Sequence, residues 1–358
     1  MGTDRDRRDI KVFSTCPQSD LAEPGTYLRQ VADAARWSER AGCEGILVYT
    51  ANLLVDPWLA SQVIIEHTER LCPLVAVEPV YMHPYTAAKM VASLGFLYGR
   101  RVYLNMVAGG FKNDLAALGD TTPHDERYER LTEYTSIVLD LLKGEGTGLV
   151  TREGRYYRVR NVKIVPALPS ELLPGVFVSG SSAAGMAAAR RLGATAVQYP
   201  KPVDECERER PADVGSLGIR IGLIARERAD DAWAVAHARF PEDRRGQVTH
   251  RMAMNVSDSE WHRQLSRLGE SPAGAEHPYW MLPFENYRTF CPYLVGSYDR
   301  VAEEVARYFT VGYRTLILDI LPSADEMEHI GIVYREALAR SEHRRPTGVN
   351  QTVLANGT

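Results

Sequence analysis

The sequence predicts a single (β/α)8, TIM-type barrel with a long lid-like insertion before the eighth strand. Eight short apolar runs are spaced along the chain, and most are separated by stretches of helical periodicity. That is the pattern of a closed parallel sheet wrapped by helices. The competing doubly wound sheet needs a glycine fingerprint after its first strand and an acidic residue placed for a ribose, and neither is present. A length of 358 residues suits one large barrel, and a hydrophobic content of 45% supplies its core.

Residues 10–15 are the first predicted strand. Leu28, Val31, Ala34 and Ala35 then recur at helical spacing, and Gly42 closes that helix. Residues 45–50 are the second strand; Asp56 caps the next helix and Pro57 sits in its first turn. Residues 74–79 are the third strand, followed by a helix from Pro84 to about Gly99. The fourth strand, 101–107, runs into Ala108, Gly109 and Gly110. A long helix follows from about His124 to Lys143, with Tyr128, Leu131, Tyr134 and Ile137 on one face. Residues 148–160 read as a surface hairpin turning at Glu153 and Gly154.

Residues 176–179, 194–198, 219–225 and 314–319 are the fifth to eighth strands. The insertion, about 241–292, is rich in aromatics: Trp261, Tyr279, Trp280, Phe284, Tyr287 and Phe290. An excursion that long serves as a lid or a subunit contact. The domain so drawn spans 10–342, with 1–9 and 343–358 as flexible tails.

Around the fifth strand the order of residues suits an anion. Val176, Phe177 and Val178 lead into Ser179, Gly180, Ser181 and Ser182, and an alanine-rich helix follows. A helix N-terminus offers free N–H groups to a phosphate, and Gly180 lets the backbone approach it. The plainer reading makes Ser181 or Ser182 an N-cap only. A second group suited to phosphate, His124 to Tyr128, lies upstream and favours the anion.

Composition excludes several classes. A net charge of −4 with no basic stripe argues against nucleic acid or an anionic membrane as partner. The five cysteines form no CxxC pair and the histidines no HxxxH spacing, so neither a disulfide framework nor a metal site is expected. A polar N-terminus and the lack of a long apolar run lead us to expect a cytoplasmic protein without a signal peptide.

Four motifs resemble one family. Residues 99–109 are similar to a "GRxxxNxVxG" signature, 124–129 to "HxERYE", 179–182 to "GGSS" and 294–297 to "LVGS" before a helix. In this order and spacing they resemble the bacterial luciferase-like flavin monooxygenases, closest to the alkanesulfonate monooxygenase branch that uses reduced FMN. The resemblance covers about residues 13–339. It implies a barrel binding reduced FMN at the carboxyl ends of its strands, with O2 as cosubstrate and a C4a-(hydro)peroxyflavin on the route.

The same resemblance assigns residues. Tyr128, Ser181 and Ser182, with Gly180, hold the FMN phosphate, and hydroxyls at a helix start suit a dianion. Asn105 meets the flavin ring or caps its strand, and Glu78 lines the ring or is a buried, paired acid. Arg220 serves the substrate or the oxygen adduct, its plainer role being an ion pair with a barrel carboxylate such as Glu78. Arg288 falls at the family's lid arginine.

Cys16, Leu54, Trp58, Gly222 and Leu321 are assigned to the substrate pocket, the plainer and more common role of Cys16 being a buried inert thiol. Leu54, Gly222 and Leu321 stand where the alkanesulfonate enzymes have cysteine, histidine and tyrosine. A pocket stripped of those polar groups does not match a small sulfonate, and Gly222 would open space for a bulkier substrate.

The resulting expectation is a two-component monooxygenase that takes reduced FMN from a separate NAD(P)H:flavin reductase and oxygenates a small organic substrate, as a homodimer or homotetramer. Two alternatives keep the fold: F420-dependent hydride transfer, and flavin binding without turnover.

Overall fold

Among the described residues twelve strands follow in chain order: β1 Lys11–Thr15, β2 Gly45–Val48, β3 Cys72–Val77, β4 Tyr103–Val107, β5 Val150–Glu153, β6 Arg158–Val162, β7 Val176–Ser179, β8 Thr195–Gln198, β9 Leu217–Arg226, β10 Tyr279–Trp280, β11 Tyr293–Ser297 and β12 Tyr313–Leu318. The computed structural model describes residues 10–20, 22–110, 112–144, 148–209, 215–256, 265–266 and 277–343. The expectations on Trp261, on residues 1–9 and on residues 344–358 lie outside them; residue 343 ends the helix Ala324–His343.

Eight parallel strands form the barrel in the order β9, β12, β1, β2, β3, β4, β7, β8, and β8 pairs back onto β9 to close it. Helices after most strands cover the outside, as right-handed β-to-β crossovers require. Their ends obey local rules. Asp56 accepts from the N–H groups of Trp58 and Leu59 and starts Pro57–Glu66. Gly99, at a φ of +59°, closes Pro84–Tyr98.

One end of the barrel interior is plugged by a single inward cluster: Phe13, Leu47, Leu74, Tyr103, Phe177, Val197 and Ile317. Phe13 meets Tyr103 and Phe177 edge-on, at ring separations of 5.2 and 5.3 Å. Leu47, Val197 and Ile317 of this plug also floor the cleft above it.

The hairpin β5–β6 lies outside the barrel. Glu133, on the helix His124–Lys143, accepts the N–H groups of Arg155, Tyr156 and Tyr157 and pins the turn.

The seventh barrel strand differs from its prediction. β9 is ten residues long, and only its first half belongs to the closed sheet. Leu217 to Ile221 pair with β12, whereas Gly222 to Arg226 pair with β11, which in turn carries the short antiparallel β10. The "LVGS" residues form a strand of a side sheet and lead directly into the helix Tyr298–Val311. Within chain 241–292, Asn286 donates to the Pro241 carbonyl at 2.9 Å and accepts from Gln247 at 3.1 Å.

Candidate functional site

A cleft opens at the carboxyl ends of the strands, the face where barrels of this kind place their chemistry. Its free space, open mouth included, is about 1280 Å³. Glu78 follows β3, Asn105 lies in β4, Ser181 and Ser182 follow β7, Tyr199 follows β8 and Arg220 lies in β9; all line it.

The phosphate-suited groups meet at one end. Ser182 is the N-cap of Ala183–Leu192, its Oγ accepting from the Gly185 N–H at 3.1 Å. Ser181 is thereby left over, and its Oγ is buried with no hydrogen-bond partner among the described residues. Gly180 adopts a φ of +152°, and a Cβ there would stand 2.2 Å from the Tyr128 hydroxyl. Only glycine fits between the strand end and that ring. Tyr128 itself is buried and donates to the Ser179 carbonyl at 3.4 Å. An orphaned hydroxyl, a side-chain-free turn and a helix N-terminus converge here, and these residues fit a phosphate.

Asn105 is buried, with its Oδ1 accepting from Ser179 Oγ at 2.8 Å. The amide N–H2 is the part it has left to offer the cleft. Glu78 is also buried, and no hydrogen bond reaches its carboxylate among the described residues. Burial first, then the nearby Asp114 charge, raise its carboxyl to about 7, against the lowering pull of Arg127 and Arg130. A proton can be held and released there near neutral pH.

Arg220 does not pair with Glu78. Its partner is Asp319, at 3.0 Å, after the eighth barrel strand. Asp319 also accepts from Thr289 at 2.6 Å and Tyr293 at 2.8 Å. Burial works to raise the Asp319 carboxyl; Arg220 and the two hydroxyls outweigh it and hold it below its usual value. The guanidinium lies 4.7 Å from the centre of the Tyr49 ring and 5.9 Å from that of Tyr199. Arg220 Nε and the Tyr49 hydroxyl are both buried without partners.

Among the expected pocket residues, Leu54 lines the cleft and Leu321 lines an adjoining chamber together with Arg220 and Arg288. Three others are placed differently. Cys16 sits in a core cluster with Val31 and Ile46 rather than on a cavity wall, and burial pushes its thiol up to about 12. Trp58 borders a side pocket behind Leu54 and Glu78. Gly222 opens no space, because a Cβ there would meet the Tyr293 ring at 2.3 Å. Tyr49, Tyr81, Tyr199 and Asp319 were not anticipated as site residues, while Phe290, expected in the aromatic insertion, lines the cleft. Tyr49 and Tyr199 directly follow predicted or observed strand ends, the one signal that could have found them.

Among the described residues no group of three or more His, Cys, Asp or Glu side chains could share a metal ion, and no helix is long and apolar enough to cross a membrane.

A closed parallel barrel with a deep cleft at its carboxyl ends, and a corner whose residues fit a phosphate, sets the class of fold and site, and comparison with known proteins narrows it. The luciferase-like monooxygenase family model matches residues 10–315, and the chain belongs to that family. It is 35% identical over 312 residues to the 4-(gamma-L-glutamylamino)butanoyl-[BtrI acyl-carrier protein] monooxygenase BtrO of Niallia circulans, covering 86% of this chain and 91% of that protein.

Two solved structures share the fold. The long-chain alkane monooxygenase LadA superposes with a TM-score of 0.69 at 15% identity, over 96% of this chain and 94% of its own. The oxygenating constituent of 3,6-diketocamphane monooxygenase from Pseudomonas putida, solved with FMN, does so with a TM-score of 0.67 at 15% identity, over 92% and 98%.

Proposed function

We propose that this protein is a two-component flavin-dependent monooxygenase that uses reduced FMN and O2. The observation that carries the reading is the phosphate cradle, where Ser181 Oγ is orphaned beside a Gly180 that tolerates no side chain. Reduced flavin supplies two electrons to O2, so that one oxygen atom enters the substrate and the other leaves as water.

The chain's own groups bind, orient and shield. Ser181 and Tyr128 receive the phosphate with the helix N-terminus that Ser182 caps, and Asn105 presents its amide to the ring. Glu78 holds a proton at its carboxyl beside the ring site. Arg220, fixed by Asp319 and stacked on Tyr49, is the cation next to the reacting centre. Phe290 and Tyr49 cover the cleft against water. Arg288 lines the adjoining chamber and pairs with Asp243 at 2.7 Å.

The substrate we propose is an acyl group carried on a carrier protein, the class named for the Niallia circulans relative, and not a simple alkanesulfonate. A separate NAD(P)H:flavin reductase supplies the cofactor, and the enzyme works in the cytoplasm as a homodimer or homotetramer.

Anaerobic titration with reduced FMN, oxidised FMN and F420 tests the cofactor. Preference for reduced FMN, followed by O2 consumption on aeration, is expected. Tight F420 binding without O2 consumption would move the protein to hydride transfer, and flavin binding with no turnover of any carrier-bound acyl group would make it a binding protein.

A further inference from the structure

A second chamber adjoins the cleft and shares with it a wall of Gln18, Tyr49, Arg220 and Phe290. Arg239, Phe240, Tyr293 and Leu321 line its far side. Its charges are paired off with one exception. Arg220 and Asp319 neutralise each other at 3.0 Å, Arg288 engages Asp243 at 2.7 Å, and Asp33 on the rim engages Arg36 at 3.1 Å. Asp319 is saturated further by Thr289 and Tyr293.

Arg239 is the exception: among the described residues it has no carboxylate in ion-pair range. It is the last residue of the helix Ala229–Arg239, its Nη2 donates to the Ile320 carbonyl, and its plane lies 5.0 Å from the Phe240 ring and 5.7 Å from the Tyr293 ring. These contacts fix the guanidinium and leave Nη1 buried with no acceptor. Arg239 is half-buried, but its Nη1 is buried and unfilled among the described residues; that N–H is unfavourable until an acceptor arrives, and a carboxylate is the acceptor that matches a planar guanidinium.

We propose that this chamber receives a carboxylate-bearing end of the substrate and that Arg239 is the specificity-determining residue that grips it. The inference rests on the adjoining cleft being the oxygenation site: the Tyr49, Arg220 and Phe290 wall then separates the recognised end of the substrate from the reacting one. Substrates with a neutral end lose the one interaction for which the chamber holds an unused donor.

Hexanoate and its neutral isostere hexanamide serve as probes in isothermal titration of the full-length protein, with and without FMN. Hexanoate should bind roughly 10- to 100-fold more tightly than hexanamide, the value of a hydrogen-bonded charged contact. Arg239→Gln should abolish that discrimination and Arg239→Lys retain part of it, while both variants bind FMN like the wild type, which shows that they are folded. Equal binding of acid and amide by the wild type overturns the proposal without any variant. So does discrimination that survives Arg239→Gln, or hexanoate binding displaced by FMN, which would put the anion at the Ser181 end. The titration needs neither flavin nor oxygen, so discrimination by a protein that fails to bind FMN would support the anion site and sink only the cofactor reading.

Discussion

Replacing Glu78 by glutamine removes a buried charge while keeping the side chain's shape. A carboxyl displaced from 4.5 to about 7 is one whose charged form the fold disfavours by about 3 kcal/mol. The sign follows from the direction. Because the folded value lies above the unfolded one, the contribution is fully present below pH 4.5 and is lost as pH rises through about 7. The wild type therefore weakens across that window, and Glu78→Gln does not.

Urea unfolding of the ligand-free proteins at pH 5 and pH 8.5 measures this directly. The variant's stability relative to wild type should rise by roughly 2–3 kcal/mol between the two conditions. A gap that stays constant, or that shrinks at high pH, would refute the assignment of a raised carboxyl to Glu78. It would also remove the basis for a proton held beside the proposed flavin site.

Three further outcomes follow from the site. Ser181→Ala should weaken FMN binding and leave the melting temperature unchanged, whereas Ser182→Ala should lower stability by about 1 kcal/mol through loss of the N-cap; equal effects on both readouts would sink this division of labour. Gly180→Ala should reduce FMN affinity more than Tyr128→Phe does. Together the two should be less harmful than their sum, since removing the hydroxyl frees the space the new Cβ needs; additive affinities would contradict the contact. Asp319→Asn leaves Arg220 buried with no opposite charge, and urea denaturation should show a loss of about 3–5 kcal/mol; a change under 1 kcal/mol would mean that solvent reaches the pair.

The parts legible in the sequence are those whose cause is local. The helix His124–Lys143 falls where twenty residues of unbroken periodicity and a terminal Gly144 place it. Asp56 and Ser182 cap helices because a short acceptor ahead of a helix start has few other uses. Glycine at position 180 could be read as a close approach, although the Tyr128 ring that enforces it comes from another element.

What escaped depends on residues distant in the chain. Gly222 looks like vacated space until Tyr293 fills it, and Arg220 finds its partner in Asp319, 99 positions on. Arg239 reads as an ordinary solvated arginine at a helix end, and nothing local shows that Phe240 and Tyr293 enclose it. The length of β9 is hidden for a related reason: its outer half is defined by β11, a five-residue strand with no alternation of its own.

That divided strand separates what must be inherited from what can be exchanged. Barrel closure uses Leu217 to Ile221, and the side sheet hangs from Gly222 to Arg226, so the two halves answer to different neighbours. Segments grafted between residues 227 and 292 would dock onto an edge that the barrel does not need. A lineage could thus retool the mouth of the cleft, and with it the choice of substrate, while the cofactor's end of the molecule stays under unaltered selection.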